Sequence, residues 1–75
     1  MNIEQRVKEI AKEQIGVDEV TNELTLESLG VDSLGTAEFV MTLEDEFDIA
    51  IEDEAAEQLD TIQGFIDLVR NLKVA

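Results

Sequence analysis

Apolar residues recur three and four positions apart along most of this chain, which is the period of an α-helix. Ile3, Val7, Ile10, Ala11 and Ile15 form one stripe. Thr36, Phe39, Val40, Leu43 and Phe47 form a second, and Ile62, Phe65, Ile66, Val69 and Leu72 a third. Helix one ends near Gly16, a residue type that suits the position after a helix C-terminus. Asp32 is a good N-cap, because its side-chain oxygen can take up a free N–H of the first turn. Helix two then runs from Ser33 to Asp48. Glu52, Asp53 and Glu54 place negative charge where a helix dipole is positive, so a short third helix is expected over Asp53 to Leu59. Asp60-Thr61 caps the fourth, and Arg70 and Lys73 complement its C-terminal end. The expected fold is all-α: a small four-helix bundle with a long first loop, Val17 to Val31, and a short third helix. Val20, Leu24, Leu26 and Leu29 should peg that loop to the helices. Gly30 should close it with a positive φ. The whole chain, residues 1–75, reads as one domain that must fold without disulfides, since it has no cysteine.

The chemistry of the chain is set by what it lacks. It has no histidine and no cysteine. There is thus no imidazole to activate a hydroxyl, no thiolate nucleophile and no soft metal ligand set. The expectation is a protein that is not an enzyme, with no catalytic residues and no metal centre. Asp45, Asp48, Glu52 and Asp53 are dense enough to suggest calcium. They lack the alternating ligands, central glycine and terminal glutamate of a calcium loop.

Charge narrows the partners. The net charge is −14, and no Lys or Arg occurs between Glu13 and Val69. Nucleic acid would be repelled, whereas a protein with a basic patch would be drawn in. No apolar run is long enough to span a membrane. The segment Met1 to Gln5 has neither the basic nor the apolar part of a signal peptide. A soluble, cytoplasmic, monomeric protein is expected.

Ser33 is the residue this pattern singles out. It follows a capping aspartate, at the first position of an acidic helix. A hydroxyl there is accessible and held on a rigid element, which suits a residue modified by another enzyme. On a helical wheel, Leu34, Ala37 and Met41 form a second apolar group apart from the core face, with Glu38, Glu44, Asp45 and Asp48 beside or between them. An amphipathic helix with one buried face needs no such group. The pattern reads as an exposed docking strip with an acidic rim.

The run Leu29-Gly30-Val31-Asp32-Ser33-Leu34, followed by Glu38-Phe39-Val40-Met41-Thr42-Leu43-Glu44-Asp45-Glu46-Phe47, resembles the acyl carrier proteins of dissociated fatty acid synthesis. Arg6-Val7-Lys8-Glu9-Ile10 and Val20-Thr21-Asn22 fit the same pattern, so the likeness covers essentially the whole chain. The resemblance implies a covalent 4′-phosphopantetheine arm, transferred from coenzyme A onto Ser33 by a phosphopantetheinyl transferase, with Asp32 beside it. The arm's thiol supplies the sulfur that the chain lacks, and acyl groups ride on it as thioesters. The implied partners are acyltransferases, ketosynthases, reductases and dehydratases with basic docking patches. The implied recognition residues are Leu34, Glu38, Met41, Glu44, Asp45 and Ile51, with Asp53 and Glu57 as further acidic contacts. Phe39, Leu43, Ala56, Leu59 and Ile62 are the implied lining of an acyl pocket inside the bundle.

The chain departs from the family pattern at Ser28, Gly35 and Glu52. Gly35 should loosen the first turn of helix two. These departures leave the pathway open between fatty acid, polyketide and specialised lipid synthesis. A peptidyl or D-alanyl carrier is an alternative on similar chemistry. An acidic, cation-binding interaction module without a prosthetic group is another.

Overall fold

The computed structural model describes residues 2–74. It contains α1 (Ile3–Ile15), α2 (Ser33–Phe47), α3 (Asp53–Glu57) and α4 (Ile62–Val74). Among the described residues there is no strand, only one isolated bridge between Thr25 and Thr61. The four-helix expectation therefore holds. Two boundaries differ. Leu59 lies beyond the end of α3, which closes at Glu57 with Gln58 as its C-cap. Asp48 is the cap of α2, in the left-handed region at φ 54, its N–H donated to Glu44 O.

The predicted stripes form one core. Val7, Ile10 and Ala11 of α1 meet Phe39, Val40, Leu43 and Phe47 of α2 and Ile62, Phe65, Ile66 and Val69 of α4. The rings of Phe39 and Phe65 cross edge to face with centroids 5.2 Å apart, a favoured aromatic geometry. Thr36 is not part of this core. It is half-buried, and its hydroxyl donates to Asp32 O at 3.0 Å.

The long loop is built into the fold rather than draped over it. Val20 and Leu26 are buried, and Leu24 is half-buried against the core. Ile62 N–H donates to Leu24 O and Gln63 N–H to Asn22 O, each at 2.9 Å. These bonds satisfy N–H groups that α4 leaves unpaired at its start. Thr61 Oγ1 accepts a third, from Gly64 N–H, at 3.1 Å.

Helix α1 runs opposite to α2 and α4. The start of α1 meets the end of α2, where Arg6 pairs with Glu46 at 2.9 Å. The end of α4 arrives at the same place, with Lys73 Nζ donating to Phe47 O at 3.2 Å. Ser33 therefore stands at the opposite end of the bundle. Among the described residues no helix is long and apolar enough to cross a membrane.

Candidate functional site

The approach to Ser33 is a chain of tight turns. Leu29 N–H bonds Leu26 O and Gly30 N–H bonds Glu27 O, at 3.1 and 3.0 Å. Gly30 then takes φ 81, the left-handed turn that glycine adopts without steric cost. Val31 N–H folds back to Leu26 O at 3.0 Å. Asp32 follows in extended conformation as the N-cap, accepting Gly35 N–H on its carboxylate at 2.8 Å. Ser33 is thus the first residue of α2, and it is exposed.

Ser28 is fully engaged in the preceding turn. Its hydroxyl donates to Thr25 O at 2.8 Å and accepts Thr25 N–H at 3.2 Å, while its own N–H reaches Thr25 Oγ1 at 2.9 Å. An acid at this position could not donate to that carbonyl when ionised. Ser28 therefore holds the loop that presents Asp32.

A groove of about 770 Å³ opens beside Ser33, between the loop, α2 and α3. Its apolar lining is Leu26, Val31, Ala37, Val40, Met41, Ala56 and Leu59. Thr25, Thr36 and Ser33 add hydroxyls, and Glu27, Asp32, Glu44, Asp53, Glu57 and Asp60 add carboxylates. No Lys or Arg lines it.

Of the five residues expected to line an acyl pocket, Ala56 and Leu59 border this groove. Phe39, Leu43 and Ile62 lie outside it, each at most 1% exposed and packed in the centre of the bundle. The aromatic pair and its aliphatic neighbours fill the interior, so the open space is lateral. Helical spacing alone cannot distinguish a residue in a filled core from one on a cavity wall.

Among the described residues Leu34 and Met41 are the exposed large apolar ones, at 68% and 62% exposure. Glu38, Asp45, Asp53 and Glu57 are exposed around them. Ile51, expected among the recognition residues, is 7% exposed and belongs to the core. Its N–H donates to Glu44 Oε2 at 2.9 Å, which ties the segment after α2 back onto the helix. Glu44 is accordingly half-buried and holds a loop as well as bordering the groove. That role has no sequence signal, since a bond between residues seven apart across a helix end follows no period.

Comparison with known proteins agrees with this geometry. Residues 5–69 match the family described as phosphopantetheine attachment site. The crystal structure of an acyl carrier protein from Thermotoga maritima superposes with a TM-score of 0.81 at 34% sequence identity, covering 96% of this chain and 91% of that one. The prosthetic group of the matched family is 4′-phosphopantetheine, attached covalently. An exposed serine hydroxyl on a capped helix start, beside a groove with an apolar lining, suits such an arm. The chain belongs to the phosphopantetheine attachment-site family, and within it to the acyl carrier proteins.

Proposed function

We propose that Ser33 is the residue that bears the arm, and that the protein carries acyl intermediates as thioesters in fatty acid synthesis or a related lipid or polyketide pathway. One observation carries the choice of residue. The chain has two serines. The hydroxyl of Ser28 is committed to Thr25, whereas that of Ser33 is exposed and makes no hydrogen bond among the described residues. Only Ser33 can approach a second enzyme without first breaking the loop.

In the attachment step the Ser33 hydroxyl gives its proton to a base of the transferase. Its Oγ bonds the phosphorus of coenzyme A that bears the pantetheine, and the nucleotide bisphosphate leaves with the electrons of the broken P–O bond. The bound arm supplies a thiol. The chain's own residues supply position: Asp32 fixes the first turn, and Leu34 and Met41 offer apolar contacts.

The exposed acids Glu38, Asp45, Asp53 and Glu57 steer basic partners, raising encounter rates while the small contact keeps each complex short-lived. A carrier serving many enzymes needs both properties. The same reading takes the chain as a single-domain, monomeric carrier of the cytoplasm. It performs no reaction itself.

Intact mass after incubation with coenzyme A and a phosphopantetheinyl transferase tests the assignment. The wild-type protein should gain one arm and Ser33→Ala none. A gain that persists in Ser33→Ala would refute Ser33 as the attachment residue.

A further inference from the structure

Gly35 occupies an ordinary helical position, with no positive φ to explain it. Alanine is a better helix former than glycine, so local propensity gives no reason for glycine here. The neighbourhood gives one. A Cβ built on Gly35 would lie 2.8 Å from Cγ1 of Val31, closer than real carbon contacts allow, and 3.4 Å from Oδ1 of Asp32. The methyl of Val31 fills the space that a side chain at 35 would need.

Val31 cannot easily yield. It is half-buried, its N–H is held by Leu26 O at 3.0 Å, and its β-branch stiffens χ1. It also forms part of two walls at once. On one side it lines the groove with Val40 and Leu59. On the other it lines a smaller hollow of about 270 Å³ with Ile15 and Phe39. Any displacement of Val31 passes directly to the next two residues, Asp32 and Ser33.

We infer that Gly35 and Val31 are a matched pair that sets the position of Asp32 and Ser33, making Gly35 a positioning residue for arm attachment. The bare Cα at 35 admits the Val31 methyl. That methyl, seated on the first turn of α2, locks the loop to the helix and fixes where the serine stands. This inference rests on Ser33 being the attachment residue. It replaces the expectation that Gly35 merely loosens the turn, because the Gly35 N–H is itself held at 2.8 Å by Asp32.

The test compares wild type, Gly35→Ala, Val31→Ala and the double variant Val31→Ala/Gly35→Ala. Arm transfer from coenzyme A is followed by mass at a temperature where circular dichroism shows every variant folded. Gly35→Ala should lower the transferase kcat on the order of tenfold with KM little changed, since a displacement near 1 Å at a reacting group is costly. The double variant should recover most of that loss, because a residue with only Cβ at position 31 leaves 3.9 Å to the new methyl. The Ser33 and Asp32 amide resonances should shift in Gly35→Ala and return in the double variant.

A Gly35→Ala protein that accepts the arm at the wild-type rate would overturn the pairing. So would a loss that Val31→Ala fails to rescue, which would instead make position 35 a direct clearance for the transferase. If wild type itself gains no arm, or gains one elsewhere than Ser33, the attachment assignment fails, a result separate from either of these.

Discussion

The two ends of the bundle use charge in opposite ways. At the end away from Ser33, the start of α1 and the ends of α2 and α4 are tied by cations. Arg6 pairs with Glu46 at 2.9 Å and with Glu9 at 3.2 Å. Glu4 takes Lys8 at 3.3 Å and Arg70 at 3.4 Å. Lys73 donates to the carbonyl of Phe47 near the C-terminus of α2, where the helix dipole is negative. Four of the chain's five basic residues are thus occupied there. At the Ser33 end the groove carries carboxylates and no cation, and the joints are made by backbone bonds, hydroxyls and the capping carboxylate of Asp32. The division leaves the acidic docking face uniform. A lysine placed there to stabilise the fold would weaken the attraction for basic partners.

The largest expected effect asks whether the two ends share one fate. Phe39 is 1% exposed and crosses Phe65 between them. Phe39→Ala should cost about 3–5 kcal/mol, a large part of the roughly 5–15 kcal/mol that holds a small domain. Urea unfolding followed by amide exchange should show both ends melting together. If amides near Glu46 stay protected while those near Thr36 exchange, the ends are independent units and the contrast is one of separate stabilities.

The caps of α2 give a smaller and more local contrast. Asp32→Ala should cost about 1 kcal/mol, or about 4–8 °C in melting temperature, through loss of the bond to Gly35 N–H. Asp48 sits at φ 54 and adds negative charge at a helix C-terminus. Asp48→Gly should therefore stabilise, by about 0.5–1 kcal/mol. Amide exchange should rise at the first turn of α2 for Asp32→Ala and fall at its last turn for Asp48→Gly. An Asp48→Gly protein that melts lower would mean the aspartate side chain holds this end in some further way.

Which parts were legible in the sequence follows from the kind of contact each part uses. The helices were readable because Val7, Ile10, Phe39, Leu43, Phe65 and Val69 recur at a local period. Asp32, Gly30 and Gly16 were readable because caps and left-handed turns need particular residue types. Ser33 stood out by its place after a cap and by the resemblance. The burial of Ile51 and the filling of the bundle interior were not readable. Whether Ile51 faces solvent depends on a bond between its N–H and Glu44, and whether Phe39 lines a space depends on how Phe65 and Ile62 fill it. The surroundings of Gly35 were hidden for a related reason. Its neighbour in space is Val31, and only three-dimensional proximity shows that a Cβ would collide.

The smallest effect isolates the ion-paired end by pH. The Arg6 guanidinium, through its hydrogen bond and its charge, holds the Glu46 carboxyl below its ordinary value of 4.5 against a lesser opposing effect of burial. Lys8 does the same for Glu4, chiefly through its hydrogen bond. A carboxyl whose pKa is lower folded than unfolded stabilises the fold above its unfolded pKa. That contribution is lost as pH falls through the folded value. Glu46→Gln should accordingly melt below wild type at neutral pH. The gap should begin to close as pH drops below 4.5 and vanish once Glu46 is protonated in both states. Arm transfer to Ser33 should not change, because Glu46 lies at the other end of α2 and makes no part of the groove. A gap that persists in strong acid would show that Glu46 acts through packing rather than through its charge on Arg6. An altered transfer rate would show that the two ends are coupled along α2, and the division of labour between them would have to be redrawn.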